Sequence, residues 1–340
     1  MTRRGIESSA ARRWRLLPLG LVVLVALPWA ITPFVSEAAE KGSSTAAQLV
    51  EQTRDAPLTY NFEGVVELAW RDGKKMKRAT VTVRGANGTI EVESATGHVV
   101  DYGATTYVLG KSGWTSVGVT ATPVNLPAAD HAWTLTAHTG AEIAGRPTTT
   151  VVASRSATGV VQKLAIDTQT GLLLARQVRA GGRLQRSLQF TSLSVGSGPT
   201  TAKSDRSSST ASSAVPDGYR APREPGGGYV LVATKRGSDG VQLSYSDGLF
   251  SVSIREQRGA LDWGALPAGG TNFEIAGHQA RRYTEPGDDV IVWERDGVVY
   301  TCVTDAPTDV IDSMIAGLAP SGRSTVEKAA DFVLGPFGWH

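Results

Sequence analysis

One cysteine, Cys302, occurs in 340 residues. An intramolecular disulfide and a multi-cysteine metal site are therefore excluded. Between Tyr300 and Val303, Cys302 reads as a small buried hydrophobe on a strand. Charge of one sign is also lacking. The net charge is +2, so the body carries no basic footprint of the kind nucleic acid requires. Long helical patterns are few, whereas glycine (38 residues), valine and threonine are plentiful, which leans towards a β-rich chain. Histidine is scarce: His98, His131, His138, His278 and His340. None stands four residues from another on a helical pattern, and His131 with His138 makes at best an incomplete zinc site. No G-x-S-x-G elbow, no GxGxxG after a strand and no P-loop is present. No pair of carboxylates stands out as an acid and base flanking a cleft. No catalytic residue, metal ligand or cofactor site is nominated, and enzyme activity is the weaker class.

The long apolar run is at the beginning. Arg3, Arg4, Arg12, Arg13 and Arg15 precede an uncharged stretch, residues 16–35. At ~1.5 Å per residue it is long enough to cross ~30 Å of hydrocarbon. Basic residues on its N-terminal side place that end in the cytoplasm and the remainder outside. Ser36-Glu37-Ala38 loosely fits a signal-peptidase site, so residues 16–38 read as either a cleaved signal peptide or a permanent anchor in the cytoplasmic membrane. Arg12-Arg13 is a weak twin-arginine signal. With no cysteine after the run, lipoprotein anchoring is excluded.

The body reads as follows. Residues 43–55 predict a helix capped by Ser44 or Thr45, with Ala46, Leu49, Val50 and Thr53 on one stripe and Pro57 stopping it. Alternating strands follow to residue 195. Their turns fall at Asp72-Gly73, Asn87-Gly88, Gly140, Gly159, Gly171 and Gly181-Gly182. Residues 196–214, nearly all Gly, Ser, Thr, Ala and charge, form a linker. A second module, 215–320, predicts strands at 229–235, 241–245, 249–257, 279–283, 289–295 and 298–304. A helix from 306 follows, capped by Thr308, with Val310, Ile311, Met314, Ile315 and Leu318 inward. Gly226–Gly228 reads as a flexible connection, and Asp288-Asp289 as turn residues. Trp114, Trp133, Trp263 and Trp293 read mostly as core or half-buried sheet residues. A tail occupies 321–340.

One stretch narrows the reading. "YSDGLFSVSI", Tyr245 to Ile254, resembles a segment of the RseB/MucB family of extracytoplasmic sigma-factor regulatory proteins. "VPDGYRAPR" at 215–223 is similar to the entry of that family's small domain. "IAGRPTTTVVASR" at 143–155 and "LAIDTQTGLLLARQVRAGGRLQRSLQFTSL" at 164–193 resemble the end of its large domain. The helix running into "LTYNFEGVVELAW" resembles that domain's beginning, so the likeness runs in order from about 43 to 320. The resemblance implies an α+β, β-rich fold. Its large domain is a LolA/LolB-like curved antiparallel sheet with plugging helices, and a smaller C-terminal α/β domain follows. It implies a non-enzymatic partner of the extracytoplasmic domain of a membrane anti-sigma factor, with a lipid or acyl chain as a ligand. The motif residues Tyr245, Ser246, Asp247, Gly248, Leu249 and Phe250 become the candidate partner contacts. A lipid or lipoprotein carrier and an exported hydrolase are the alternatives. The long apolar run, the Ser/Thr-rich linker and the tail depart from the family pattern.

Overall fold

The computed structural model describes residues 43–86, 89–94, 97–101, 106–110, 113–118, 129–196, 219, 221–236, 240–284 and 288–318. The apolar run, the Asn87-Gly88 turn, most of the linker (197–214) and the tail lie outside the described residues. Among the described residues no helix is long and apolar enough to cross a membrane.

Helix α1 (Ser43–Thr59) is the first element of the described residues. It runs past Pro57, where the sequence predicted a stop. Proline removes one intrahelical N–H, but the next turn re-forms and Tyr60 N donates to Ala56 O at 3.0 Å. Ala46, Val50 and Ala56 are its buried contacts.

Eleven strands then build one antiparallel sheet: β1 (Asn61–Asp72), β2 (Lys75–Ala86), β3 (Thr89–Ser94), β4 (Gly97–Asp101), β5 (Thr106–Gly110), β6 (Gly113–Gly118), β7 (Thr134–Thr139), β8 (Thr148–Arg155), β9 (Val160–Asp167), β10 (Leu173–Ala180) and β11 (Arg183–Gly196). The order is β6-β5-β4-β3-β2-β1-β11-β10-β9-β8-β7, so the long β1–β11 pair joins two meanders. Gly73, at φ +59°, turns the β1–β2 hairpin as Asp72-Gly73 predicted.

Register decides what one face carries. Leu135, Ala153, Gln162, Val178, Arg186 and Trp70 lie side by side across six strands. The adjacent row is Ala137, Val151, Leu164, Arg176, Leu188 and Leu68. These two rows are apolar except for Gln162, Arg176 and Arg186, Arg155 follows Ala153 on the same face, and α1 lies on that face, touching β1, β2, β7 and β8.

The second sheet has seven strands: β12 (Val230–Arg236), β13 (Gly240–Ser246), β14 (Ser251–Arg258), β15 (Thr271–Ile275), β16 (His278–Thr284), β17 (Asp289–Arg295) and β18 (Val298–Thr304). Their order is β12-β13-β14-β18-β17-β16-β15, again antiparallel. β15 is an addition to the strands read from sequence. Its hairpin turns on Ala276-Gly277, both at positive φ (48° and 78°), and alanine gives no turn signal there.

Helix α2 (Thr308–Gly317) buries Val310, Ile311, Met314 and Ile315. The sequence assigned Thr308 as its cap. The structure instead makes Pro307 the N-cap residue, and the Thr308 hydroxyl accepts a hydrogen bond from Arg282 Nη1 at 2.7 Å. Trp293 and Tyr300 stack within this core, 4.9 Å apart at 5°. Cys302 is fully buried there, and burial, with Asp289 and Asp288 adding to it, pushes its thiol up.

Candidate functional site: a buried arginine–aspartate seam

The candidate residues Tyr245–Phe250 close the β13–β14 hairpin. Ser246 Oγ accepts Gly248 N at 3.0 Å and donates to Phe250 O at 2.8 Å. Asp247 Oδ1 accepts the backbone N–H groups of Leu249 (2.9 Å) and Phe250 (2.7 Å), and Gly248 takes φ +92°. These local bonds are what a short polar side chain offers a turn. They aim Asp247 and Phe250 the same way, out of their own sheet and onto the face of the other.

There the turn meets arginine. Arg155 Nη2 donates to Asp247 Oδ2 at 2.5 Å, and Arg155 Nη1 to Gly227 O at 2.8 Å. Its guanidinium lies 4.6 Å over the Trp133 ring. Arg176 donates to Gln162 Oε1 (2.5 Å), to Asp305 Oδ2 (2.9 Å) and to Leu249 O (2.8 Å), and it covers the Phe250 ring at 5.2 Å. Asp305 also accepts Ser251 N at 2.8 Å. A third pair, Arg186–Asp289, closes at 2.9 Å. From α1, Arg54 Nη2 reaches Gly248 O at 2.7 Å. Three arginines of the first sheet thus face three aspartates of the second. The side chains of the first two pairs are at most 8% exposed. Phe250 completes the contact edge-on to Trp133, centroids 5.5 Å apart.

A seam of this composition differs in kind from an apolar one. Desolvating an ion pair costs much of what its attraction returns, so the net stabilisation is small. Removing one partner strands the other, so the register of the two sheets is specified sharply. Burial pushes the Asp247 carboxyl up, against the Arg155 charge and two backbone N–H groups that pull it down. Asp288, 2% exposed, is pushed well up by burial and then by the Asp305 charge, with Arg186 and Arg176 opposing.

Of the six candidate residues, five are buried and Leu249 is half-buried. The structure brings them together at the contact between the sheets. Two further readings change. Gly226–Gly228 is a tight turn with all three residues at positive φ, holding a carbonyl for Arg155, where a flexible connection was expected. Asp288 and Asp289 are buried at the seam, where turn residues were expected, because the arginine face covers them. Trp133 and Trp293 are buried, and Trp263 is half-buried. His131 ends a short 3-10 turn (Ala129–His131), and His138 on β7 lies 3.2 Å from Thr136 Oγ1.

No family model matches the chain, and neither does any curated protein. Its fold is similar to that of MucB. The Pseudomonas aeruginosa MucA/MucB structure aligns at 18% identity and TM-score 0.49, covering 81% of this chain and 98% of that one. MucB alone aligns at 18% identity and TM-score 0.48, over 82% and 99%. A LolA superfamily protein from Nitrosomonas europaea aligns at 9% identity and TM-score 0.21, over 77% and 91%.

Sequence reasoning missed Arg155, Arg176, Arg186 and Asp305, and took Asp289 for a turn residue. A signal existed: Arg176 falls between Leu174 and Val178, at the parity of core residues, and a charge at such a position needs a buried partner.

Proposed function

We propose that this chain is an extracytoplasmic regulatory protein that binds the extracytoplasmic domain of a membrane anti-sigma factor and so modulates one sigma factor. The observation that carries the reading is the ordered sequence resemblance from residue 43 to 320, centred on the Tyr245–Ile254 motif. MucB has been solved in complex with MucA(peri), and under this proposal the chain takes a partner of that kind. In this reading residues 16–35 lead the chain out of the cytoplasm, as a signal peptide or as an anchor.

The seam supplies a means of regulation. A partner surface that spans both sheets exists only while the Ser246–Phe250 turn is seated on the arginine face. A ligand shifts that equilibrium only by its differential affinity for the seated and unseated states. Residues 245–250 then affect the partner by holding the two sheets in register, and they touch it directly only if the seam opens.

Deleting the gene is expected to change transcription from the promoters of one extracytoplasmic sigma factor, with restoration by the intact gene. Unchanged output from every such factor in the cell would refute the proposal.

A lipid or lipoprotein carrier is the second reading. It is favoured by the apolar rows on the first sheet, which α1 and one turn cover. Native mass spectrometry is expected to find acyl species on the purified protein if it holds. A protein that stays empty after incubation with phospholipid removes it.

A further inference from the structure

Beside the seam the two sheets stand apart and enclose an open cleft of about 590 Å³, within the ~300–1,000 Å³ of typical ligand sites. Its walls differ in charge. The first sheet contributes Arg71, Gly73, Gln185 and Arg186, with no carboxylate. The second contributes Glu274, Asp289, Asp309 and Asp312, with Arg282.

Some of these charges are already matched. Arg186 and Asp289 pair at 2.9 Å where the walls meet. Arg282 donates to Thr308 and lies 5.5 Å over the Phe273 ring, but among the described residues it pairs with no carboxylate and its buried Nε has no hydrogen-bond partner. The others are not matched either. Arg71 donates only to carbonyls, Leu184 O at 2.9 Å and Lys74 O at 3.4 Å. Asp312 accepts one backbone N–H, from Ala276, at 3.0 Å. Glu274 and Asp309 are exposed and form no ion pair among the described residues. Arg71 therefore faces three carboxylates without ion pairs across the gap, and Arg282, also without a carboxylate partner, stands on their side of it.

The chemistry of the lining selects the occupant. Pockets for apolar ligands are lined mainly by hydrophobic and aromatic side chains, and this one is lined by ionic and hydroxyl groups. Acidic surplus disfavours nucleic acid. A polypeptide fits, since it carries both signs at fixed spacing. The sheet also ends at β15, whose outward edge pairs with no described strand. Glu274 of that strand lines the cleft. An added peptide strand would find main-chain partners there, along ~17 Å for five residues.

We propose that this cleft binds an extended peptide segment, with basic side chains towards Glu274, Asp309 and Asp312 and a carboxylate towards Arg71. The inference rests on the function proposed above and names where the anti-sigma segment lies. Because Arg186–Asp289 belongs to both cleft and seam, seating the peptide depends on the register of the two sheets.

Photo-crosslinking of the full chain in its own cells separates the two claims. A benzoylphenylalanine probe is placed at Gln185 or Thr284 in the cleft, and at Lys163 or Asp262 away from it. Cross-linked peptides are identified by mass spectrometry. An anti-sigma segment captured at Gln185 and Thr284 is expected, with yield falling at least tenfold in the double variant Glu274→Lys and Asp309→Lys. Retained amide protection at Phe250 shows that this variant still folds. Capture of an anti-sigma factor only at Lys163 or Asp262 overturns the cleft while sparing the function. A charge-dependent cleft peptide from some other protein supports the cleft and overturns the function. No peptide at the cleft, or a yield indifferent to charge reversal, overturns the cleft.

Discussion

Arg176→Met is the sharpest perturbation of the seam. Methionine keeps most of the aliphatic volume and removes the charge. Three hydrogen bonds go with it, to Gln162, Asp305 and Leu249, as does the cover over Phe250. Hydrogen bonds to charged groups are worth about 1.5–3 kcal/mol each, but the three do not add, and removing a guanidinium also relieves its desolvation. Asp305 then keeps only Ser251 N and remains buried near Asp288, whose carboxyl feels its charge. The net cost expected for stranding one member of such a pair is about 3–5 kcal/mol. Expressed as undocking, this is roughly a hundred- to several-thousand-fold rise in the open population. Native-state hydrogen exchange at the Leu249 and Phe250 amides reads it directly, because both amides are bonded only by Asp247 inside the docked turn. Adding Asp305→Asn is expected to cost about 1–3 kcal/mol less than the sum of the two single changes, since the partners share one interaction. Arg84→Met, at an exposed pair with Glu63, is expected to leave these amides unchanged. A loss of protection below threefold in Arg176→Met would refute the claim that this seam holds the two sheets.

Other outcomes follow from the same geometry. Phe250→Ala empties a fully buried site against Trp133 and is expected to cost about 3–5 kcal/mol by urea unfolding, with half-buried Leu249→Ala clearly milder. Gly317→Ala places a Cβ 1.6 Å from Pro225 O, so α2 and the entry loop must separate, and a fall in melting temperature is expected. Two carboxyls set opposite pH slopes. Asp288 is pushed well above its ordinary 3.8, so the folded state binds more protons than the unfolded one and stability falls as pH rises above 3.8. Burial pushes Asp167 up too, but hydrogen bonds from Arg146 and Thr170 outweigh it and hold the carboxyl low, so its contribution is lost as pH falls below 3.8. Asp288→Asn is expected to flatten the upper slope alone and Asp167→Asn the lower one alone, in denaturation curves across pH.

Much of the fold was legible because alternation has a period of two and glycine marks its turns. The β1–β2 hairpin at Asp72-Gly73, the β10–β11 hairpin at Gly181-Gly182 and the stripe of α2 come from local chemistry that tertiary contacts reinforce. β15 was hidden because its turn uses alanine, with no side-chain advantage at positive φ, and it is held by non-local contacts, the pairing with β16 and the Asp312 carboxylate of α2 that accepts Ala276 N. The site was legible by half. "SDGLF" identifies itself as a tight turn, but its role depends on which surface it meets. Arg176 and Asp305 lie 129 residues apart, and nothing local links them. Thr308 shows the same limit: a hydroxyl at a helix start reads as a cap until Arg282, 26 residues away, claims it.

The central claim is that this chain recognises an anti-sigma factor. Its most direct test is calorimetric titration of the full chain, purified in detergent, with the extracytoplasmic domain of each single-pass anti-sigma factor from the same cell. One saturable complex is expected, weakened at least tenfold by Arg176→Met because the two-sheet surface is no longer assembled. Heats no greater than dilution for every such domain would contradict the account.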